Sequence, residues 1–293
     1  MADATQRPDA AQRREELKDV WSRARGCTRC PQLVAARHTV VFGAGNADAN
    51  LMFVGEAPGA NEDRLGLPFV GQAGALLERL LGEIGMRRDD VFIANVLKCR
   101  PPGNRDPLPQ EIDNCQEYLF RQLELVRPRV VCTLGNFATK LLRADPATGI
   151  MRLHGRDEER VIGPLAVRLY PLLHPAAALY TPAMLAGLRA DFQRIPELLA
   201  RERPALSTRP PDPAVTRPDI ASAVARAAPT ADADAPGAEP DPGWGGQESS
   251  GADAVPVLAA PGPIPAAPPP APERDPAEAD DPPADAPHQL GLF

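Results

Sequence analysis

The 293-residue sequence predicts an α/β protein: a three-layer α/β/α sandwich on a parallel four-stranded sheet, followed by a disordered C-terminal tail. Two observations carry that prediction. Between residues 13 and 203, short apolar runs of strand length alternate with longer segments of helical period, the pattern of strands joined by crossover helices. Beyond residue 203 the composition changes: 204–293 hold 21 of the 36 prolines, and 4 Lys and Arg against 14 Asp and Glu. Such a segment buries too little apolar surface to offset the entropy of ordering it.

The elements follow in order. A charged helix is expected at Arg13–Arg25, with residues 1–12 disordered ahead of it. Leu51-Met52-Phe53-Val54 reads as a buried strand running into a Gly-rich turn. Gln72–Met86 carries Leu76, Leu77, Leu80, Leu81 and Ile84 at helical spacing. Val91–Ala94 is the second strand, and Pro109–Val126 a helix with proline in its first turn. Arg129–Leu134 is the third strand, followed by a helix over Asn136–Leu142. Val167–Leu173 makes the fourth strand, and Pro182–Leu199 the last helix. About 180 residues suffice for one domain with a full core.

Charge divides along the same boundary. Residues 1–203 carry 28 Lys and Arg against 25 Asp and Glu, so the whole-chain charge of −7 belongs to the tail. A near-neutral folded part permits a nucleic-acid partner without demanding one. No apolar run approaches the length of a membrane span, so no membrane partner is expected. Without a signal-like N-terminus, free cysteines point to a reducing cytoplasm.

In a parallel α/β sheet, sites form at the carboxyl ends of the strands. The first strand delivers Glu56, the second Asn95 and the fourth His174 to one such edge. Singly, each has a plainer reading as a cap or turn residue; together they suggest a site. Cysteines add a second constellation: Cys27-x2-Cys30, then Cys99-x15-Cys115. The first pair is too close for an ordinary structural disulfide. A metal, an iron–sulfur cluster, a redox dithiol and unrelated buried thiols all remain open, the first two preferred, and spacing does not separate zinc from iron–sulfur. Cys132, inside Val130–Leu134, reads as a core residue.

Gly55-Glu56-Ala57-Pro58-Gly59, Glu62-Asp63 and Leu67-Pro68-Phe69-Val70-Gly71 resemble the first motif of the family 4, iron–sulfur uracil-DNA glycosylases. Ala94–Arg105 resembles the second block and His174-Pro175-Ala176 the third, so the resemblance spans roughly residues 13–200. It implies a monofunctional glycosylase that flips uracil from single- or double-stranded DNA and hydrolyses its N-glycosidic bond, starting base excision repair. Cys27, Cys30, Cys99 and Cys115 fall where that family holds a 4Fe–4S cluster, here expected to be structural. Asn95 would read the uracil N3–H and O4, and Phe69 would stack on the flipped base. Backbone N–H groups of Glu56 and Ala57, with His174 opposite in either charge state, would stabilise charge growing on O2. Better-known uracil glycosylases place an Asp where this chain has Ala57, which leaves the general base unassigned; Glu62 and Asp63 are the candidates. Lys98, Arg100 and Arg105 are expected on DNA phosphates, and Leu179 within Ala178–Tyr180 as a wedge. A monomer associated with the nucleoid is expected. A covalent or non-catalytic uracil-DNA-binding protein is the alternative, although no histidine lies between Asn95 and His154.

Gln289-Leu290-Gly291-Leu292-Phe293 at the extreme C-terminus looks like the pentapeptide by which bacterial repair proteins dock on the sliding clamp. Leu290, Leu292 and Phe293 would fill apolar pockets, and Gln289 would fix orientation. Pro204–His288 would serve as its linker, with an r.m.s. reach of roughly 50 Å.

Overall fold

The computed structural model describes residues 9–204 except Pro146. The predicted linker and clamp-binding pentapeptide lie outside the described residues. Chain order begins with α1 (Ala10–Arg25), α2 (Pro31–Ala36), β1 (Ala44–Gly45), β2 (Leu51–Gly55), α3 (Ala60–Leu65) and α4 (Gln72–Glu83). Next come β3 (Phe92–Asn95), α5 (Pro109–Val126), β4 (Val130–Leu134), α6 (Asn136–Arg143) and α7 (Ile150–Leu153). β5 (Glu158–Ile162), β6 (Leu165–Leu172), α8 (Pro175–Tyr180), α9 (Pro182–Gln193) and α10 (Ile195–Ala200) complete it.

The sheet has six strands in the order β1-β3-β2-β4-β6-β5. Its inner four, β3, β2, β4 and β6, run parallel, and the edge strands β1 and β5 pair antiparallel. The four-stranded parallel sheet of the sequence prediction is therefore the centre of a mixed six-stranded one. Both edge strands escaped the hydrophobic pattern for physical reasons. β1 is two residues long, and β5 reads Glu-Glu-Arg-Val-Ile, charged as an edge strand that must resist further pairing.

Alternation along the strands divides the core in two. Met52 and Val54 face a cluster shared with Leu17 and Val20 of α1, Leu119 and Leu123 of α5 and Leu141 of α6. Leu51 and Phe53 face the other cluster, with Leu77 and Leu80 of α4, Phe192 of α9 and Leu198 of α10. Phe53 and Phe192 stack at 5.7 Å. Every residue of β2, β3, β4 and β6 is buried, as a sheet covered on both faces requires. Cys132 is fully buried in β4, a core position.

Helix boundaries moved where local chemistry intervened. α1 starts at Ala10, three residues before the predicted boundary, because Asp9 caps it by accepting the Gln12 N–H at 2.7 Å. α4 ends before Gly85, which adopts φ +74°. The predicted Pro182–Leu199 helix divides at Arg194: Pro196 has no N–H to continue α9 and instead occupies the first turn of α10.

Candidate active site

The four parallel strands end at one edge, and three of them carry the site. β2 leads into Glu56, β3 ends on Asn95, and β6 leads through Leu173 to His174. A cavity of about 330 Å³ opens there, lined by Glu56, Ala57, Glu62, Phe69, Asn95, Arg105 and His174. A cleft of about 480 Å³ elsewhere, between Arg13, Asn50 and Leu165, contains none of these motif residues.

Asn95 forms one wall. It is 2% exposed, and its Oδ1 has no hydrogen-bond partner. A buried orphan acceptor costs about 1–3 kcal/mol, and this one lies at the cavity wall, where an entering donor can pair with it. Gly55 makes room for it. A Cβ on Gly55 would stand 2.4 Å from Asn95 Oδ1 and 2.8 Å from the Phe69 ring, so only glycine lets β2 approach both.

Phe69 stands opposite in a conformation that non-glycine residues avoid, with φ +51°. The surroundings impose it. Glu62 Oε1 accepts the N–H groups of Val70 and Gly71, both at 2.9 Å. Arg88 donates to the Phe69 carbonyl at 2.9 Å and to that of Pro68. Gly74 in the first turn of α4 packs against the Phe69 carbonyl, where any side chain would collide. The ring is thereby set 5.8 Å from that of His174, tilted by 31°.

His174 caps α8. Its Nδ1 accepts the Ala176 N–H at 3.1 Å, which assigns the ring proton to Nε2. Burial pushes the imidazole pKa down to about 4. The ring is therefore neutral at physiological pH, a narrower outcome than the sequence allowed. Burial, and after it the charge of Asp106, push the Glu56 carboxyl in the other direction, up to about 7.

The two carboxylates expected as candidate bases differ in placement. Glu62 lines the cavity, but its bonds hold the Phe69 loop. Asp63 is fully buried, and both its oxygens accept the His38 N–H at 3.0 Å, with His38 Nδ1 at 2.8 Å. It ties the 38–39 segment to α3 and does not line the cavity.

The four cysteines expected as ligands share one core cluster. Cys99 and Cys115 are buried, Cys27 and Cys30 half-buried against the same core cluster, and all are free thiols. Each sulfur accepts an N–H: Cys27 from the Arg29 side chain at 3.4 Å, Cys30 from Asn114 at 3.5 Å, Cys99 from Arg37 at 3.1 Å, Cys115 from the Lys98 backbone at 3.2 Å. Burial pushes up Cys30, Cys99 and Cys115, the last to about 12; at Cys27 burial is outweighed by bonds from Arg29 and Tyr118, which hold it low. No three His, Cys, Asp or Glu side chains among the described residues are gathered as around a single metal ion.

The predicted DNA contacts divide. Lys98 is 1% exposed, its ammonium bonded to the Asn95 carbonyl and Gln122, so it cannot meet a phosphate. That corrects the expectation: a lysine between Leu97 and Cys99 follows the strand into the core. Arg100 bonds Asn104 at 2.8 Å, and Arg105 at the cavity wall pairs with Glu111 through both terminal nitrogens. Leu179 leans half-buried on the α4–α9 core, while its neighbour Tyr180 is 81% exposed. His154 sits apart from the cavity lining, its Nδ1 2.8 Å from Asp191. Arg88 and Gly74 went unnoticed in the sequence. A glycine in the first turn of an otherwise apolar helix was the available signal for the second; nothing marked the first.

Comparison with known proteins agrees with this arrangement. The model of the Uracil DNA glycosylase superfamily matches residues 42–199. A type-4 uracil-DNA glycosylase of Archaeoglobus fulgidus is 44% identical over 66% of this chain and 98% of its own length. One from Thermotoga maritima is 43% identical over 56% of this chain and 83% of its own. A type-5 uracil-DNA glycosylase of Pyrobaculum aerophilum is 35% identical over 62% of this chain and 90% of its own.

Proposed function

The chain belongs to the Uracil DNA glycosylase superfamily, and from that premise we propose that it is a monofunctional type-4 uracil-DNA glycosylase that flips uracil from DNA and hydrolyses its N-glycosidic bond, opening base excision repair. The observation that carries this reading is the unpartnered, buried Oδ1 of Asn95 facing a cavity walled by an aromatic ring. Uracil presents an N3–H donor beside the O4 acceptor, which one amide satisfies together. Cytosine reverses that pattern and would leave buried groups unpaired.

Phe69, fixed by Glu62 and Arg88, gives the flipped base a stacking surface that costs no reordering when the base enters. As the glycosidic bond breaks, negative charge grows on O2. The neutral His174 Nε2–H and the Glu56 and Ala57 backbone N–H groups are the donors we assign to it. Donors already in place stabilise that charge more than they stabilise the ground state. With Asp63 outside the cavity and Glu62 Oε1 taken by the Phe69 loop, we assign Glu56 to accept a proton from water. A pKa near 7 suits that task. Leaving-group stabilisation supplies most of the rate.

Cys27, Cys30, Cys99 and Cys115 are the residues we assign to a 4Fe–4S cluster. The donor set fits: four soft thiols, each already accepting an N–H, on segments the cluster would pin together. When bound, the cluster would cross-link these loops. Arg100, Tyr180 and the Arg105 edge form the DNA-facing rim. We also retain Gln289, Leu290, Leu292 and Phe293 as a sliding-clamp peptide acting for a monomeric, cytoplasmic enzyme; a clamp pull-down with and without the last five residues tests it.

Excision from a uracil-containing oligonucleotide tests the main reading. Alkali-labile cleavage at uracil alone, lost in Asn95→Ala, is the expected result. A denaturant-resistant adduct, or no product, would overturn it.

A further inference from the structure

A fully enclosed lysine remains that the chemistry above does not use. Lys98 donates to the Asn95 carbonyl at 2.8 Å and to Gln122 Oε1 at 2.6 Å, with the Phe42 ring centre 5.8 Å away. Gln122, on α5 and also fully buried, donates its Nε2 to the Phe42 carbonyl at 2.9 Å. On its other side the same backbone is gripped by β2: the Val96 N–H bonds the Gly55 carbonyl and the Leu97 N–H that of Glu56, both at 2.9 Å. Asn95 therefore sits on a main chain fixed from both sides, while its own Oδ1 is left unpaired.

An amide with an unpaired acceptor takes its aim from its backbone. We propose that Lys98, held by Gln122, is a positioning residue that fixes the Asn95 carbonyl and thereby sets how sharply Asn95 distinguishes uracil from other bases. The inference rests on the glycosylase reading. An apolar chain of similar length would fill the same space without the cost of burying a polar nitrogen. What the lysine nitrogen adds is a hydrogen bond to the reader's own carbonyl, with a second to Gln122.

The test uses the full chain with iron and sulfide content measured in every variant. The probes are duplexes carrying 2′-fluoro-deoxyuridine, whose glycosidic bond resists hydrolysis, or the matching cytidine analogue, whose base reverses the pattern that Asn95 reads. Lys98→Met is expected to lower the preference for the uridine probe at least tenfold, with cluster content and affinity for undamaged duplex unchanged. In an Asn95→Ala background the same substitution should change that preference less than twofold, because the residue it positions is gone. Gln122→Leu, which removes one acceptor and keeps the lysine, should give a smaller loss of the same kind and serves if Lys98→Met does not fold. Equal weakening for both probes, an undiminished effect in the Asn95→Ala background, or loss of iron would overturn the proposal. A native chain that neither excises uracil nor prefers the uridine probe would instead remove the premise.

Discussion

The cavity and the cysteine cluster are built in part from one stretch of chain, Asn95 to Cys115, and they treat polar groups in opposite ways. Around the cysteines every sulfur accepts an N–H, and the Lys98 ammonium between the two regions has two oxygens. At the cavity Asn95 Oδ1 has no partner, Phe69 is held at positive φ, Glu56 is shifted up and His174 down. In one region the protein gives each of these sulfurs a donor of its own; in the other it leaves an acceptor for the base that enters. That difference separates the two regions more sharply than burial does, since each mixes buried and half-buried residues.

Substitutions at the unsatisfied end should cost most in activity and least in stability. Asn95→Ala heads the order: two polar groups of the flipped base lose their partner, a loss of roughly 30-fold to 10⁴-fold in kcat/KM. Thermal melting should change little, because the acceptor removed had no partner. A large drop in melting temperature would mean that Asn95 belongs to the scaffold. His174→Ala follows at about 10²–10³-fold in single-turnover rate, the usual cost of one donor to a developing oxyanion. Because the native ring is neutral down to pH near 4, the activity it supports should show no histidine titration between pH 5 and 8.

The same contrast explains what the sequence disclosed. Glu56, Asn95 and His174 were placed together because apolar runs mark strands and parallel strands deliver their ends to one edge. The cysteine set followed from residue type and order. Hidden were features whose cause lies across the chain. Lys98 resembled a surface cation until the fold brought Gln122 to it from 24 residues away. Arg88 meets the Phe69 loop only because α4 turns back at Gly85. β5 is charged along most of its length and has no apolar pattern to betray it. Sequence spacing reports what a residue can do, and long-range contacts report which of those uses is taken.

Glu56 provides a smaller and pH-dependent effect. As its carboxyl ionises through pH about 7, the rate should rise to a plateau, and Glu56→Gln should abolish that limb. Stability runs the other way. Between its ordinary 4.5 and about 7, the folded carboxyl keeps a proton that the unfolded one has lost, so raising the pH across that window lowers stability. Melting curves at pH 5 and 7.5 should therefore diverge more for the native chain than for Glu56→Gln.

Glu62→Gln should have the smallest effect, and it sharpens the comparison most. If Glu62 were the base, losing its charge would cost about 10²-fold or more. In the structure one of its oxygens receives the Val70 and Gly71 N–H groups, and a glutamine carbonyl oxygen can accept the same two bonds. The Phe69 loop then keeps its conformation and the loss stays below about tenfold, with the pH limb of Glu56 intact. Glu62→Ala, which releases both N–H groups beside a residue held at φ +51°, should cost more than the glutamine variant and raise KM along with it. Single-turnover and steady-state rates of the two variants decide between a residue that holds the loop and one that moves a proton: equal losses in kcat for Gln and Ala would put Glu62 in the chemistry and Glu56 outside it.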